Sequence, residues 1–140
     1  MEGTLLGIPS LAISLVAREG SDFTAAAAFG ARLAAQVLRQ PLPTNTLLNV
    51  NVPAIPQAQM VGYRITRQGK RRYTEAMVEK TDPRGKKYYW IGGDEFAFVD
   101  EPGTDFAAVQ AGAVSITPIH LDLTHYPSFD VLQDLALEWP

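Results

Sequence analysis

Nine of the twelve basic residues of this 140-residue chain fall between Arg64 and Lys87. Only Glu75, Glu79 and Asp82 oppose them there, so that segment carries a formal charge of +6 while the remainder carries −9. A local field of that sign attracts polyanions, and Arg67, Arg71, Arg72 and Arg84 are the candidate contacts. Tyr63, Tyr73, Tyr88, Tyr89 and Trp90 are interleaved with them and could offer stacking surfaces to bases. The competing reading is a projecting hairpin that its charges keep soluble and its aromatics brace.

Other groupings could also do chemistry. His120, Asp122 and His125 have a spacing that would bind a metal if all three faced one way. On a strand, His120 and Asp122 share a face and His125 does not, so a structural role is expected. Asp94, Glu95, Asp100 and Glu101 read as a solvated acidic loop rather than an acid–base pair, and Thr104-Asp105 reads as a helix cap. The chain has no Gly-rich phosphate loop, nucleophile elbow, dinucleotide fingerprint or Asp-Asp pair. With no cysteine it has no disulfide framework and no thiolate metal site, which suits a reducing cytoplasm.

The elements that must position these residues are legible in outline. Ile8 to Val16 is a short, nearly continuous apolar run, as expected of a parallel strand covered on both faces. Ser21 or Asp22 can cap a helix from Phe23 to about Gln40, with Phe29, Leu33 and Val37 on one stripe and Pro41 ending it. Thr46 to Val52 is a second strand, which completes a βαβ unit and predicts an α/β fold with a parallel sheet. After Gly62 the pattern changes. Tyr63 to Arg67 alternates like a half-exposed strand, and Thr81 to Gly85 carries turn chemistry before the β-prone run Lys87 to Gly92. Projecting β-hairpins are expected there. A short helix over Phe106 to Ala111, a strand over Val114 to Thr117 and a terminal helix over Val131 to Glu138 complete the reading. Four segments follow: 1–61, the second part of an α/β domain; 62–101, the hairpin region; 102–124, a return to the sheet; and 125–140, a tail. The N-terminus resembles neither a signal peptide nor a membrane span.

Five blocks, in order, resemble the C-terminal part of the SurE family, the survival proteins that act as metal-dependent 5′/3′-nucleotidases. Met1-Glu2-Gly3 is similar to the end of the family's internal Ala-Ala-x-x-Glu-Gly helix, and Gly7 to Leu15 to the strand after it. Leu48 to Pro53 matches its Leu-Asn-x-Asn-x-Pro segment. Arg64 to Gly69, Thr81 to Gly85 and Tyr89-Trp90 resemble its hairpin region, and Pro102 to Thr124 its closing stretch. The resemblance implies a Rossmann-like, SurE-like sheet and a phosphomonoesterase acting on nucleoside monophosphates with Mg²⁺ or Mn²⁺. It also implies a homodimer that exchanges C-terminal segments, or a homotetramer through the hairpins. Tyr88, Tyr89, Trp90, Leu135 and Trp139 are the candidate oligomer contacts. No membrane or nucleic-acid partner is expected. In the family the metal ligands are an Asp-Asp pair, a Ser and an Asn near the N-terminus, with a Ser-Gly-Thr turn for phosphate. Neither the pair nor the turn can be assigned here, so no catalytic or metal residue is expected in this chain, which reads as a fragment lacking the metal-binding half. A non-catalytic oligomerisation remnant and a polyanion-binding module are the alternatives.

Overall fold

The computed structural model describes residues 1–17, 22–71, 77–91 and 98–135. Arg72 and Trp139, like Ser21, Tyr73, Asp94 and Glu95, lie outside the described residues.

A single helical turn, α1 (Glu2–Leu5), leads into β1 (Ser10–Val16). The Asp22 carboxylate accepts from the Thr24 amide at 2.8 Å, meeting one orphan donor at the start of α2 (Thr24–Arg39). Ala26, Gly30 and Val37 face inward along this alanine-rich helix. An ideal Cβ on Gly30 would come within 2.5 Å of the Ile13 side chain, so the bare glycine lets the helix sit close to the sheet. Next comes β2 (Thr46–Pro53), with Leu48, Val50 and Val52 buried and Asn49 and Asn51 on its other face. β1 and β2 pair in parallel, as a βαβ unit requires.

The short strand β3 (Tyr63–Ile65) is followed by a hairpin of β4 (Met77–Thr81) and β5 (Lys87–Ile91). The Asp82 side chain accepts from the amides of Arg84 and Lys86 in its turn, where Gly85 takes φ +80°. β4 and β5 form a two-stranded sheet of their own. After the helix α3 (Asp105–Gln110), β6 (Val114–His120) returns to the main sheet and α4 (Phe129–Gln133) follows in the tail. The main sheet has the order β1-β2-β6-β3 and is mixed, because β6 runs antiparallel to β2 and parallel to β3.

The two faces of that sheet differ in chemistry. Residues Ile13, Val50 and Ile116 stand in register on one face, and α2 covers it with the core of Ala26, Val37, Leu48, Val52 and Val114. Serine, threonine and asparagine dominate the other face. There Thr66 Oγ1 lies 2.9 Å from Ser115 Oγ and 2.7 Å from Thr117 Oγ1, which closes three buried hydroxyls into one network. β1 departs from its expected two-sided burial. Among the described residues it is one of the two edge strands, β3 being the other, and Ile13 is 41% and Val16 48% exposed.

Thr104, 1% exposed, is the residue that caps α3. Its Oγ1 accepts from the Ala107 amide at 3.2 Å and donates to the Glu101 carbonyl at 2.8 Å. Thr104→Ala removes a helix cap, so a loss of about 1 kcal/mol is expected in denaturant unfolding. An unchanged midpoint and slope would show that the cap contributes nothing.

Candidate functional site

In an open α/β sheet, ligands lie outside the carboxyl ends of parallel strands. Here that end belongs to β1 and β2, and a cleft of about 740 Å³ opens there between the polar face and α3. Ser14, Asn49 and Asn51 line the sheet side, Phe106 and Asp105 the α3 side, and Arg71 completes the wall. Asn49 and Asn51 share a face because strand side chains repeat every two residues. Ser14 joins them because it is in register with Asn51.

The segment before the hairpin is strapped to α3. The Arg67 amide donates to the Gly103 carbonyl at 3.0 Å, and the Asp105 amide donates to the Arg67 carbonyl at 3.0 Å. Asp105 Oδ1 accepts from the Gly69 amide at 2.8 Å and from the Phe106 amide at 2.9 Å. A Cβ on Gly69 would come within 2.6 Å of the Phe106 ring, so only glycine permits this approach. Phe106 in turn stacks on Phe98, with centroids 4.7 Å apart and planes 4° from parallel. Asp105, read from sequence as part of a helix cap, therefore also ties two distant segments together. Its partner Gly69 gave no local signal, because they are 36 residues apart.

Three of the four candidate polyanion contacts, Arg67, Arg71 and Arg84, lie among the described residues. Arg67 pairs with Glu101 at 2.6 Å, and this bond holds the Glu101 carboxyl below its usual range. Arg71 bridges to Phe98 and lines the cleft. Arg84 sits in the β4–β5 turn, where its side chain has no hydrogen bond or ion pair among the described residues. Lys87 pairs with Glu79 across the hairpin. Tyr88, Tyr89 and Trp90 on β5 are all exposed, and so is Leu135 in the tail.

Among the described residues, no group of three or more His, Cys, Asp or Glu is placed to hold a metal. His120 Nδ1 accepts from the Asp122 amide, while His125 Nδ1 and Ser128 Oγ share a hydrogen bond. Asp122 accepts from the Tyr126 hydroxyl and the Thr124 amide. Those bonds hold its carboxyl at about 2, down from the usual 3.8. A depressed carboxyl stabilises the folded turn above its ordinary value and ceases to do so as pH falls through the depressed one. The turn over residues 122–128 is therefore expected to hold at pH 4 and to open near pH 2. Backbone chemical shifts followed through that range test this, and a transition centred at pH 4 would contradict it.

The sequence profile of the family described as Survival protein SurE matches residues 1–75, more than half of the chain. The chain belongs to the SurE family. It is 54% identical over 138 residues to the 5′-nucleotidase SurE of Geobacter sulfurreducens, covering 98% of this chain and 53% of that protein. It is 47% identical over 137 residues to the 5′-nucleotidase SurE of Symbiobacterium thermophilum, covering 98% of this chain and 54% of that one. The crystal structure of SurE from Aquifex aeolicus superposes with a TM-score of 0.79 at 43% identity, covering 94% of this chain and 53% of that one. This SurE chain thus spans about half the length of the curated relatives it matches. Its fold is the α/β fold of the family. Among the described residues, no helix is long and apolar enough to cross a membrane.

Proposed function

We propose that these 140 residues are the C-terminal part of a SurE-type phosphomonoesterase acting on nucleoside monophosphates in a reducing cytoplasm. The observation that carries this reading is identity of 54% to a 5′-nucleotidase SurE over nearly the whole chain. The cleft at the carboxyl ends of β1 and β2 supports it, because that is where an α/β sheet presents a ligand.

The residues present do not fit the divalent metal that the family resemblance implies. A hard cation takes six or more oxygen ligands, several of them carboxylates. The described cleft offers one carboxylate, Asp105, and its Oδ1 already accepts two backbone amides. On this reading the cation is held by residues that this chain does not supply.

The test joins this chain behind the part of the Geobacter sulfurreducens relative that it does not match. Phosphate release from nucleoside monophosphates by that fusion, abolished by chelator, is the expected result. A folded fusion that binds metal and releases no phosphate would defeat the reading.

A second element of the proposal is self-association. Phe129, Val131, Leu132 and Leu135 in the tail are exposed, as are Tyr88, Tyr89 and Trp90 on the hairpin. Apolar groups in such number on thin segments call for a covering surface. Exchange of an identical tail between two copies is a low-cost route to a dimer. Light scattering is expected to give an oligomer for the full chain and a smaller species for a truncation ending at Thr124. A monodisperse monomer for the full chain, or the same oligomer for both, would refute it.

A further inference from the structure

The polar face of the sheet is divided. Thr66, Ser115 and Thr117 satisfy one another. In contrast, the side chains of Ser14, Asn49 and Asn51 have no hydrogen-bond partner among the described residues, although both asparagines are half-buried. These three line the floor of one cleft, opposite the wall that carries the Phe98–Phe106 stack. Among the described residues Thr4 Oγ1 is the one fully buried side-chain polar atom without a partner, so the asparagine amides are still open to the cleft and available to pair with a ligand. Each asparagine offers one acceptor and a two-hydrogen donor on a flat amide. Spaced two residues apart on one strand, their Cα atoms lie about 7 Å apart, so the floor presents two carboxamides side by side.

We propose that this cleft is a nucleobase subsite, in which a planar heterocycle inserts between the Asn49–Asn51 floor and the Phe98–Phe106 wall. The assignment rests on the nucleotidase reading for its ligand class, but the chemistry of the cleft selects the base rather than the phosphate. Asp105 and Arg71 are the charged residues among its described lining, and they carry opposite charges. A phosphate calls for a net positive lining or a nest of amide donors. A neutral heterocycle with adjacent donor and acceptor atoms calls for carboxamides, which pair with such an edge in bidentate fashion, and for an aromatic wall. The cleft volume of about 740 Å³ falls within the range of small-molecule sites and admits a nucleoside.

Adenosine is the probe, because it carries the base and no phosphate. It is titrated into the isotopically labelled full chain and followed by the side-chain amide resonances of Asn49 and Asn51. Saturable shifts at both are expected, with a dissociation constant on the order of 0.1–1 mM, typical for a ligand of this size without a charged anchor. Asn49→Ala with Asn51→Ala should weaken binding about tenfold or more, with the melting temperature as a check on folding. The near-isosteric Asn51→Asp replaces the amide donor with an acceptor and should weaken it comparably, so an unfolded double variant does not remove the test. Absence of saturable shifts, shifts confined to other residues, or full affinity in Asn51→Asp would overturn the assignment. Inorganic phosphate moving the same resonances with higher affinity than adenosine would also overturn it. None of these readouts requires turnover. An active fusion whose Asn51→Asp form keeps its base selectivity would refute the subsite alone, whereas saturable adenosine binding beside an inactive fusion would refute the nucleotidase reading alone.

Discussion

The 140-residue chain by itself will release no phosphate from any nucleoside monophosphate in the presence of Mg²⁺ or Mn²⁺. The expected effect is the entire metal-dependent activity, and the reason is ligand chemistry. A divalent cation speeds phosphoryl transfer by neutralising developing charge and activating a water, and it must first be held by several hard oxygens. The sequence has no Asp-Asp pair, and no cluster of three acidic or imidazole side chains is assembled among the described residues. The nearest approach to a ligand set is the tail group of His120, Asp122 and His125. There each side chain is engaged locally: His120 with the Asp122 amide, Asp122 with Thr124 and Tyr126, and His125 with Ser128. Purified chain assayed with a panel of nucleoside monophosphates, with and without chelator, decides the matter. Chelator-sensitive turnover above the no-protein rate would show that these residues assemble a metal site of their own.

Asp105→Ala will destabilise the fold by about 2–3 kcal/mol, more than the loss of the Thr104 cap. A hydrogen bond to a charged acceptor contributes about 1.5–3 kcal/mol, and an amide left unpaired adds its desolvation cost. Asp105 Oδ1 serves two amides, one at the first turn of α3 and one at Gly69 on the strap. Gly69 is held so close to Phe106 that no side chain fits between them, so the strap is set by this approach as well as by the carboxylate. Asp105→Asn keeps one acceptor oxygen without the charge, so it should recover about half of the loss. Urea unfolding of Asp105→Ala, Asp105→Asn and Thr104→Ala beside the unsubstituted chain is the measurement. If Asp105→Ala and Thr104→Ala cost the same, Asp105 acts only at the helix start and the tie to Gly69 contributes nothing.

Elements whose cause is local were legible in the sequence. The helix over Thr24–Arg39 follows from its alanines, the stripe of Phe29, Leu33 and Val37, and the prolines beyond it. Strand β2 shows its two faces directly, with Leu48, Val50 and Val52 alternating with Asn49 and Asn51. Features set by distant pairing were not legible. The insertion of β6 between β2 and β3 has no local signature, because nothing in Val114–His120 names its neighbours and Pro118 argues against an interior strand. The apolar run into Val16 suggests cover on both faces, yet Ile13 and Val16 stand well exposed. Composition shows the run of basic residues but not their partners: Arg67 pairs with Glu101, 34 residues away, and Arg84 stands in the turn of the separate β4–β5 sheet. For the cleft, the sequence shows asparagines two apart in a strand. That Ser14 and the Phe98–Phe106 wall join them depends on register and on the return of α3, which no local pattern encodes.

The placement of β6 also governs the order in which the fold can be assembled. β1, α2 and β2 are contiguous, so the βαβ unit can form early at small entropic cost. Among the described residues β3 has no strand partner except β6, and β2 keeps one edge unpaired until β6 arrives. The sheet therefore closes only after Val114–His120 has left the ribosome, and any nascent chain that stops before Val114 retains two unzipped edges. Closing that gap fixes the ends of the excursion from β3 to β6 but scarcely depends on its length. Doubling a loop costs only about 0.6 kcal/mol in closure entropy. The excursion that carries the β4–β5 hairpin is thus the part of the chain where insertions and deletions are cheapest for folding, and where relatives can diverge most in length without losing the sheet.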